Sequence, residues 1–559
     1  MRPRSPLMRF PHMLPAGMFA TALLTTPLLQ AAPPDAGQSM RELEQGPPQL
    51  PPRQRLELEL PDSPSGSTAD DGSRVQVSRF LIEGNTAIST AELQAELADL
   101  PQRSLSLGEL REGASRLTRL YRSRGYPLAR AYLPAQEIDQ GVVRIAVLEG
   151  RYGQVRVDKA DGIHAWALAP LHALRQGDVV RADALEHSLL LLQDTPGLSV
   201  RSTLKPGAEV GTSDLVVQVE PTPLLSGSVD LDNYGNRYTG AYRLGATVNL
   251  SNPLGIGDQL TLRALGTDEA QRYYRAAYQL PVSPWGTRLS LAYSSMDYQL
   301  ARDFDDLDAH GTARIASAQL LQPLVRSRDF WLSAGLEFAD KRLRDKIDAF
   351  AYRKDKRARV LSAALAASAQ DQWLGGGSTS ATLEYSVGDL HIKDEAERQL
   401  DRSTARTEGS FAKLVANLQR LQRLTDRFSL YARLQSQWAD GNLDSSEKLN
   451  LGGAYGVRAY PQGEAVADEG WLTSIELRYA LTPAWQLSTF LDHGQARLNK
   501  RSWDEDDNYR QLSAAGLGAS WSKQGWDINA VAAWKLGAEE AESDSDRSPR
   551  VWLQLVRRF

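Results

Sequence analysis

The sequence predicts a transmembrane β-barrel of about 16 antiparallel strands preceded by two small α/β modules. Three observations predict it: residues 222–559 alternate apolar and polar positions, the amino-terminus carries an export signal, and the chain ends on an aromatic residue, Phe559. An exported chain that alternates for that long without a spanning apolar run reads as a barrel, because lipid-facing and water-facing side chains alternate along a membrane strand.

Arg2, Arg4 and Arg9 form a basic start, Met13 to Leu29 is mostly apolar, and Gln30-Ala31-Ala32 offers small residues for cleavage before Pro33-Pro34. Residues 1–32 therefore read as a signal peptide. Pro15 and Pro27 break the apolar stretch and no second one follows, which argues against a retained membrane helix. The composition, 42% hydrophobic and 24% charged with a mean hydropathy of -0.40, is too polar for a helical membrane protein. There is no cysteine, so neither disulfides nor thiolate metal sites hold the exported part together. Losing the three leader arginines takes the formal net charge from -5 to -8, a balance that argues against a nucleic-acid partner.

Residues 33–73 are rich in Pro and Gln and read as a linker, with Pro47-Pro48, Pro51-Pro52 and the Ser65 to Gly72 run. Within it Ser39 to Gln45 can make two helical turns, but a helix that short is marginal in water, which favours frayed linker.

Residues 74–150 read as a first module. Val75, Val77, Phe80 and Ile82 suggest one strand, closed by a Gly84-Asn85 turn. Ser89-Thr90 caps a helix from Glu92 to Leu100, and a second helix runs from Leu107 to Arg124 with Gly125 as its stop. Ala129, Ala131 and Leu133, then Val143, Ile145 and Val147, give two more strands. Residues 151–221 repeat that order: Val155 and Val157, helical stretches at Trp166 to Leu174 and Ala182 to Gln193, then strands at Val200 to Lys205 and Leu215 to Val219.

In the remaining segment Leu225, Gly227, Val229 and Leu231 interleave with Ser226, Ser228, Asp230 and Asp232, and the same beat recurs to Trp526-Ile528-Ala530-Ala532-Trp534. The first set faces lipid and the second a wet lumen. Tyr273, Trp285, Trp471 and Trp521 sit near segment ends and suit aromatic girdles.

The first module carries Ile82-Glu-Gly-Asn-Thr86, Arg124-Gly-Tyr126, Tyr132-Leu-Pro-Ala-Gln136 and Leu148-Glu-Gly150; the second carries Pro196-Gly197 and Leu204-Lys-Pro-Gly207; the barrel opens with Asp232-Asn-Tyr-Gly235 and Asn252-Pro-Leu-Gly-Ile-Gly-Asp258. Together these resemble the two-partner secretion transporters, or haemolysin secretion/activation proteins, over about residues 75–559. The resemblance implies two periplasmic POTRA modules, at 74–150 and 151–221, and a 16-stranded outer-membrane pore. That pore would secrete one large β-helical exoprotein, whether adhesin, cytolysin or contact-dependent toxin. It also implies an inward loop, here about 439–470, with a Val-Arg-Gly-Tyr motif that stands in this chain as Val457-Arg458-Ala459-Tyr460. If the family's loop needs a positive φ at the replaced glycine, Ala459 carries a steric cost. The arginine's implied partner is a lumen-facing carboxylate, and strand parity in Trp485 to Asp492 puts Asp492 on the inward face. Arg458 and Asp492 are thus expected to lock the loop, since a guanidinium grips a carboxylate with two prongs. Val551, Leu553, Leu555 and Phe559 share one face, and the resemblance implies that barrel-assembly machinery reads Phe559; Arg557 interrupts that face near the interface.

No catalytic residue, metal or cofactor is expected. The seven histidines are scattered without His-Glu-x-x-His spacing, and Asp303, Asp305, Asp306 and Asp308 lack the Gly and Glu of a calcium loop. With Asp504 to Asp507 they read as solvated loop tips, and Gly375-Gly-Gly-Ser378 reads as a turn. Lys354, Lys356 and Arg357 can reach lipopolysaccharide phosphates if they lie outside, though a solvated turn is the plainer reading. A barrel insertase of the same superfamily and a passive porin are the alternatives, the first wanting more periplasmic modules and the second none.

Overall fold

The computed structural model describes residues 33–46, 58–59 and 74–559. The predicted signal peptide and most of the predicted linker lie outside the described residues. Sixteen strands, from Leu225–Asp232 to Arg550–Arg558, pair antiparallel in sequence order and the first pairs with the last, closing the barrel. Parity follows the predicted beat: Val229, Leu231, Leu244, Leu291 and Leu491 are exposed on the outer wall, while Asp230, Asp232, Arg243 and Asp492 are buried on the inner one. No described helix is long and apolar enough to cross a membrane.

The seam between first and last strands is short, Ser228–Asp232 against Gln554–Arg558. The Asn233 side chain extends it by imitating a peptide: its Nδ2 donates to the Val551 carbonyl at 2.9 Å and its Oδ1 accepts from the Leu553 N–H at 2.8 Å. At the other end Gly227 and Phe559 exchange backbone hydrogen bonds at 2.9 and 3.0 Å. A Cβ on Gly227 would lie 2.8 Å from the Phe559 ring, so only glycine lets the terminal aromatic lie there.

The first module departs from its prediction in three places: an added strand, Arg103–Ser106, lies between the helices, the first helix ends at Glu96 and the first strand divides. The expected strand over Val75 to Ile82 splits at Ser78 into Arg74–Val77 and Arg79–Glu83, because the N–H groups of Ser78 and Arg79 both turn to the Gly141 carbonyl. The first half pairs with Arg103–Ser106 and the second, in parallel, with Val142–Leu148, whose other side takes Arg130–Tyr132. Helices Thr90–Glu96 and Leu107–Ser123 cover the sheet, each capped by a serine, Ser89 and Ser106. In the second module the first predicted helix is a 3₁₀ helix, Ala165–Ala173, because Pro170 cannot donate an α-helical hydrogen bond. Helix Ala182–Gln193 packs with it on the sheet of Arg151–Lys159, Thr212–Pro221 and Leu198–Pro206, whose far edge pairs with Leu58–Glu59.

The Glu149 carboxylate, buried between the modules, accepts from the Thr86 and Ala87 N–H groups at 2.6 and 2.7 Å and from the Tyr121 hydroxyl at 2.9 Å. Arg151 reaches from the second module to the Thr86 hydroxyl at 2.8 Å. The second module in turn docks on the barrel turns: Asp194 takes a two-pronged grip from Arg326 at 2.6 and 3.1 Å, Glu186 pairs with Arg328, and the Trp166 indole donates to the Pro281 carbonyl. These contacts set the modules at one barrel end; the longer loops project from the other.

Two sequence expectations for side chains are corrected here. Tyr273 is not a girdle residue: it points into the lumen and packs with Met40 and Tyr298, while Trp285 is exposed on the outside. Ser39 to Gln45 is not frayed linker: Ala36–Glu44 is a helix inside the barrel. Tertiary burial of Ala36 and Met40 supplies the stability that so short a helix lacks alone.

Candidate functional site

Between strands Phe428–Ala439 and Glu469–Ala480 the chain folds back into the lumen over residues 440–468. The structure brings the two predicted residues together there. Arg458 Nε and Nη2 donate to the two Asp492 carboxylate oxygens at 2.9 and 2.8 Å, and its backbone N–H donates to the same carboxylate at 3.1 Å. Sequence reasoning missed three further partners. Arg458 Nη1 donates to Glu476 at 3.0 Å, Nη2 donates to the Ser474 hydroxyl at 3.0 Å, and the guanidinium carbon sits 3.3 Å from the centroid of Phe490. A planar cation stacked on a ring and forked onto carboxylates is a geometry that lysine cannot copy. The alternation of Ile475 and Leu477 on the outer face would have found Ser474 and Glu476 on the inner one.

Val457, Ala459 and Tyr460 are fully buried around this grip. The steric cost reserved for Ala459 does not arise, since the positive-φ residues of this loop are Gly453, Gly463 and Ala465. The Tyr460 hydroxyl donates to the Glu539 carbonyl at 3.2 Å, and the Trp552 indole donates to the Arg458 carbonyl at 2.7 Å.

The loop also crosses to the opposite wall. Its 3₁₀ turn, Ser445–Glu447, presents Glu447 to Lys341 and Lys413 at 2.6 and 2.7 Å. The lumenal helix packs on this same turn, and a Cβ on Gly37 would lie 2.6 Å from the Ser445 hydroxyl oxygen. Asp35 caps the helix, accepting from the Gln38 N–H at 2.9 Å, and also accepts from the Ser445 hydroxyl at 2.7 Å. Asp345 on the wall accepts from the Ala36 N–H at 2.8 Å, placing a second carboxylate at the positive end of the helix dipole.

Lys356 corrects a prediction. It does not lie outside within reach of lipopolysaccharide but is buried in the lumen, where its ammonium pairs with Asp35 of the helix at 3.2 Å and Asp444 of the loop at 2.5 Å. Sequence parity would have assigned it inward, because it alternates with the paired surface residues Asp355 and Arg357 on a strand that continues past the expected turn. Helix and loop thus share one cation. Beneath them a polar cavity of about 780 Å³ opens among Arg41, Glu44, Arg243, Arg263 and Glu384. Among the described residues no group of histidine and carboxylate side chains could hold a metal ion.

The family model for the haemolysin secretion/activation proteins ShlB/FhaC/HecB matches residues 211–521, and the model for the ShlB-type POTRA domain matches residues 75–150. The heme/hemopexin transporter protein HuxB of Haemophilus influenzae is 29% identical over 543 residues, which cover 94% of this chain and 95% of that protein. The outer membrane transporter CdiB of Escherichia coli O6:K15:H31 is 24% identical over 438 residues, 76% of this chain and 72% of that protein. Among solved structures, CdiB from Escherichia coli aligns with a TM-score of 0.71 at 21% identity, covering 98% of this chain and all of that one. CdiB from Acinetobacter baumannii aligns with a TM-score of 0.63 at 17% identity over 97% of each.

Proposed function

The chain belongs to the haemolysin secretion/activation protein ShlB/FhaC/HecB family, and from that premise we propose the route by which this outer-membrane transporter secretes its partner exoprotein. The two modules, in the periplasm, capture the unfolded partner by adding one of its strands to a free sheet edge, a mode that uses backbone hydrogen bonds and tolerates varied sequence. The Leu198–Pro206 edge supports this reading, because it already takes Leu58–Glu59 as an added strand. Capture favours a state in which the lumenal helix and then the loop leave the bore. Arg458 and Asp492 lock the loop in the resting state. The partner passes as an extended chain and folds outside into a β-helix that cannot return, which drives export without a catalytic residue.

The observation that carries the reading is that polar hydrogen bonds and ion pairs anchor the lumenal helix and loop, so both can exchange those partners for water. The full-length likeness to a heme/hemopexin transporter favours, among cargoes, one related to heme or hemopexin. Barrel-assembly machinery reads the Phe559 end, lipid covers the apolar outer wall, and Arg357 meets lipopolysaccharide. Deleting Val75 to Pro221 tests the route: the barrel still conducts ions, but secretion of the exoprotein encoded beside it stops. Unchanged secretion by the deletion variant refutes the route.

A further inference from the structure

The inward loop is held a second time, away from Arg458. Glu464, buried at 1% exposure, turns its carboxylate toward the outer mouth and into the last extracellular loop, residues 536–549. There Oε2 accepts from the N–H of Glu542 at 3.0 Å, the N–H of Ser543 at 2.9 Å and the Ser543 hydroxyl at 2.7 Å. Oε1 accepts from Arg510 Nη2 at 2.8 Å. The gripping loop is itself fixed by its own strand ends, with Asp544 paired to Arg550 at 3.1 Å and Asp546 to Lys535.

A carboxylate taken fully out of water costs several kcal/mol unless it is paired and hydrogen-bonded. Here Oε2 keeps its three donors only while the inward loop and the last loop stay together, and Arg510 of the wall strand bridges the two, donating to Glu464 and to the Glu540 carbonyl at 2.8 Å each. Separating them strands the backbone N–H groups of Glu542 and Ser543. Opening the Arg458 grip alone would therefore leave the inward loop capped from outside.

We propose that Glu464 is a second latch, and that residues 536–549 are the outer lid it holds: the pore opens only when Glu464 parts from Ser543. Glu464 is a positioning residue, acting through the place of the loop. The inference rests on the transport reading, and its test is independent of cargo.

The chain has no cysteine, so Glu464→Cys with Ser543→Cys gives a single addressable pair in the full-length protein. Single-channel recording in planar lipid bilayers compares the oxidised pair, the same protein after dithiothreitol, and each single-cysteine variant. We expect the oxidised pair to lose at least about nine-tenths of its open time and the reduced pair to regain it, since a bond replaces an interaction of a few kcal/mol. Glu464→Ala should raise open time about fivefold or more over the unaltered protein, with heat-modifiable migration intact and Glu464→Asp restoring part of the closure. Equal open time for oxidised and reduced pairs, in protein whose 464–543 crosslink is confirmed by non-reducing peptide mapping, overturns the latch, as does an unchanged open time in Glu464→Ala. Secretion by the reduced pair is scored separately: a latch seen in bilayers with no export of the neighbouring gene's product leaves the latch standing and removes the transport reading.

Discussion

The Trp552 indole N–H donates to the Arg458 carbonyl oxygen at 2.7 Å, so the strand that closes the barrel holds the backbone of the residue whose side chain the inner wall grips. Arg458 therefore reads two things at once: the state of the loop and the integrity of the seam.

Arg458→Ala should abolish secretion while leaving barrel insertion intact. Removing the guanidinium leaves the buried Asp492 with the Ser474 hydroxyl at 2.7 Å, while Glu476 keeps Arg478 at 2.8 Å; a broken buried pair costs about 3–5 kcal/mol. Arg458→Lys should fail nearly as badly, because an ammonium cannot fork onto Asp492 and stack on Phe490. The check is culture-supernatant cargo against heat-modifiable barrel in the membrane; normal export by the alanine variant removes the assigned role.

Asp35→Ala should unplug the lumen. It deletes a helix cap worth about 0.5–2 kcal/mol together with the contacts to Ser445 and Lys356. Open time in planar bilayers should rise roughly 5- to 30-fold, the ratio that 1–2 kcal/mol commands. A rise confined to Lys356→Ala, with Asp35→Ala unchanged, would show that the lysine serves the loop alone.

The first module should loosen in acid. Burial pushes the Glu149 carboxyl up, but hydrogen bonds from the Ala87 and Thr86 N–H groups and from the Thr86 and Tyr121 hydroxyls hold it below the usual carboxylate range. A depressed folded value means that the stabilisation is fully present above the unfolded-chain value of about 4.3 and is lost as pH falls through the folded one. Limited proteolysis of the full chain should show residues 74–150 becoming labile below that window. Glu149→Gln should be labile already at neutral pH, by about 1–3 kcal/mol, with no acid step of its own. An acid step retained in that variant assigns the titration elsewhere.

Asn233→Ala should weaken the seam alone. Two hydrogen bonds worth about 1 kcal/mol each tie Asn233 to the last strand. The temperature at which the folded form converts to the unfolded band in detergent should drop by several degrees. No drop would mean that backbone pairing alone sets the closure.

Much of this was legible in residue order, because a two-residue period is a local signal that tertiary packing rarely overrides. Strand count, lumen face and the meeting of Arg458 with Asp492 all follow from parity or from a motif with a family resemblance. What escaped was set by partners distant in sequence. Ala36–Glu44 is too short to announce itself as a helix and owes its burial to wall residues some 300 positions away, such as Asp345. Lys356 looked like a surface charge because its neighbours Lys354 and Arg357 are charged too, and only the strand's extension past the expected turn turns it inward. Tyr273 misled for the related reason that an aromatic near a strand end suits either wall. Glu464 carries no motif at all; its role exists only because residues 536–549 fold over it.

Gly46, just past the lumenal helix, and Leu58, paired to the edge of the second module, are 12 positions apart in the chain. At no more than about 3.6 Å per residue, that length is a leash: a helix that has left the bore cannot diffuse away. Return is intramolecular, at an effective local concentration on the order of millimolar, so resealing follows each cargo without any search through the periplasm. A pore wide enough for a polypeptide would otherwise bleed the cell between rounds, and the covalent leash turns that hazard into a brief interval.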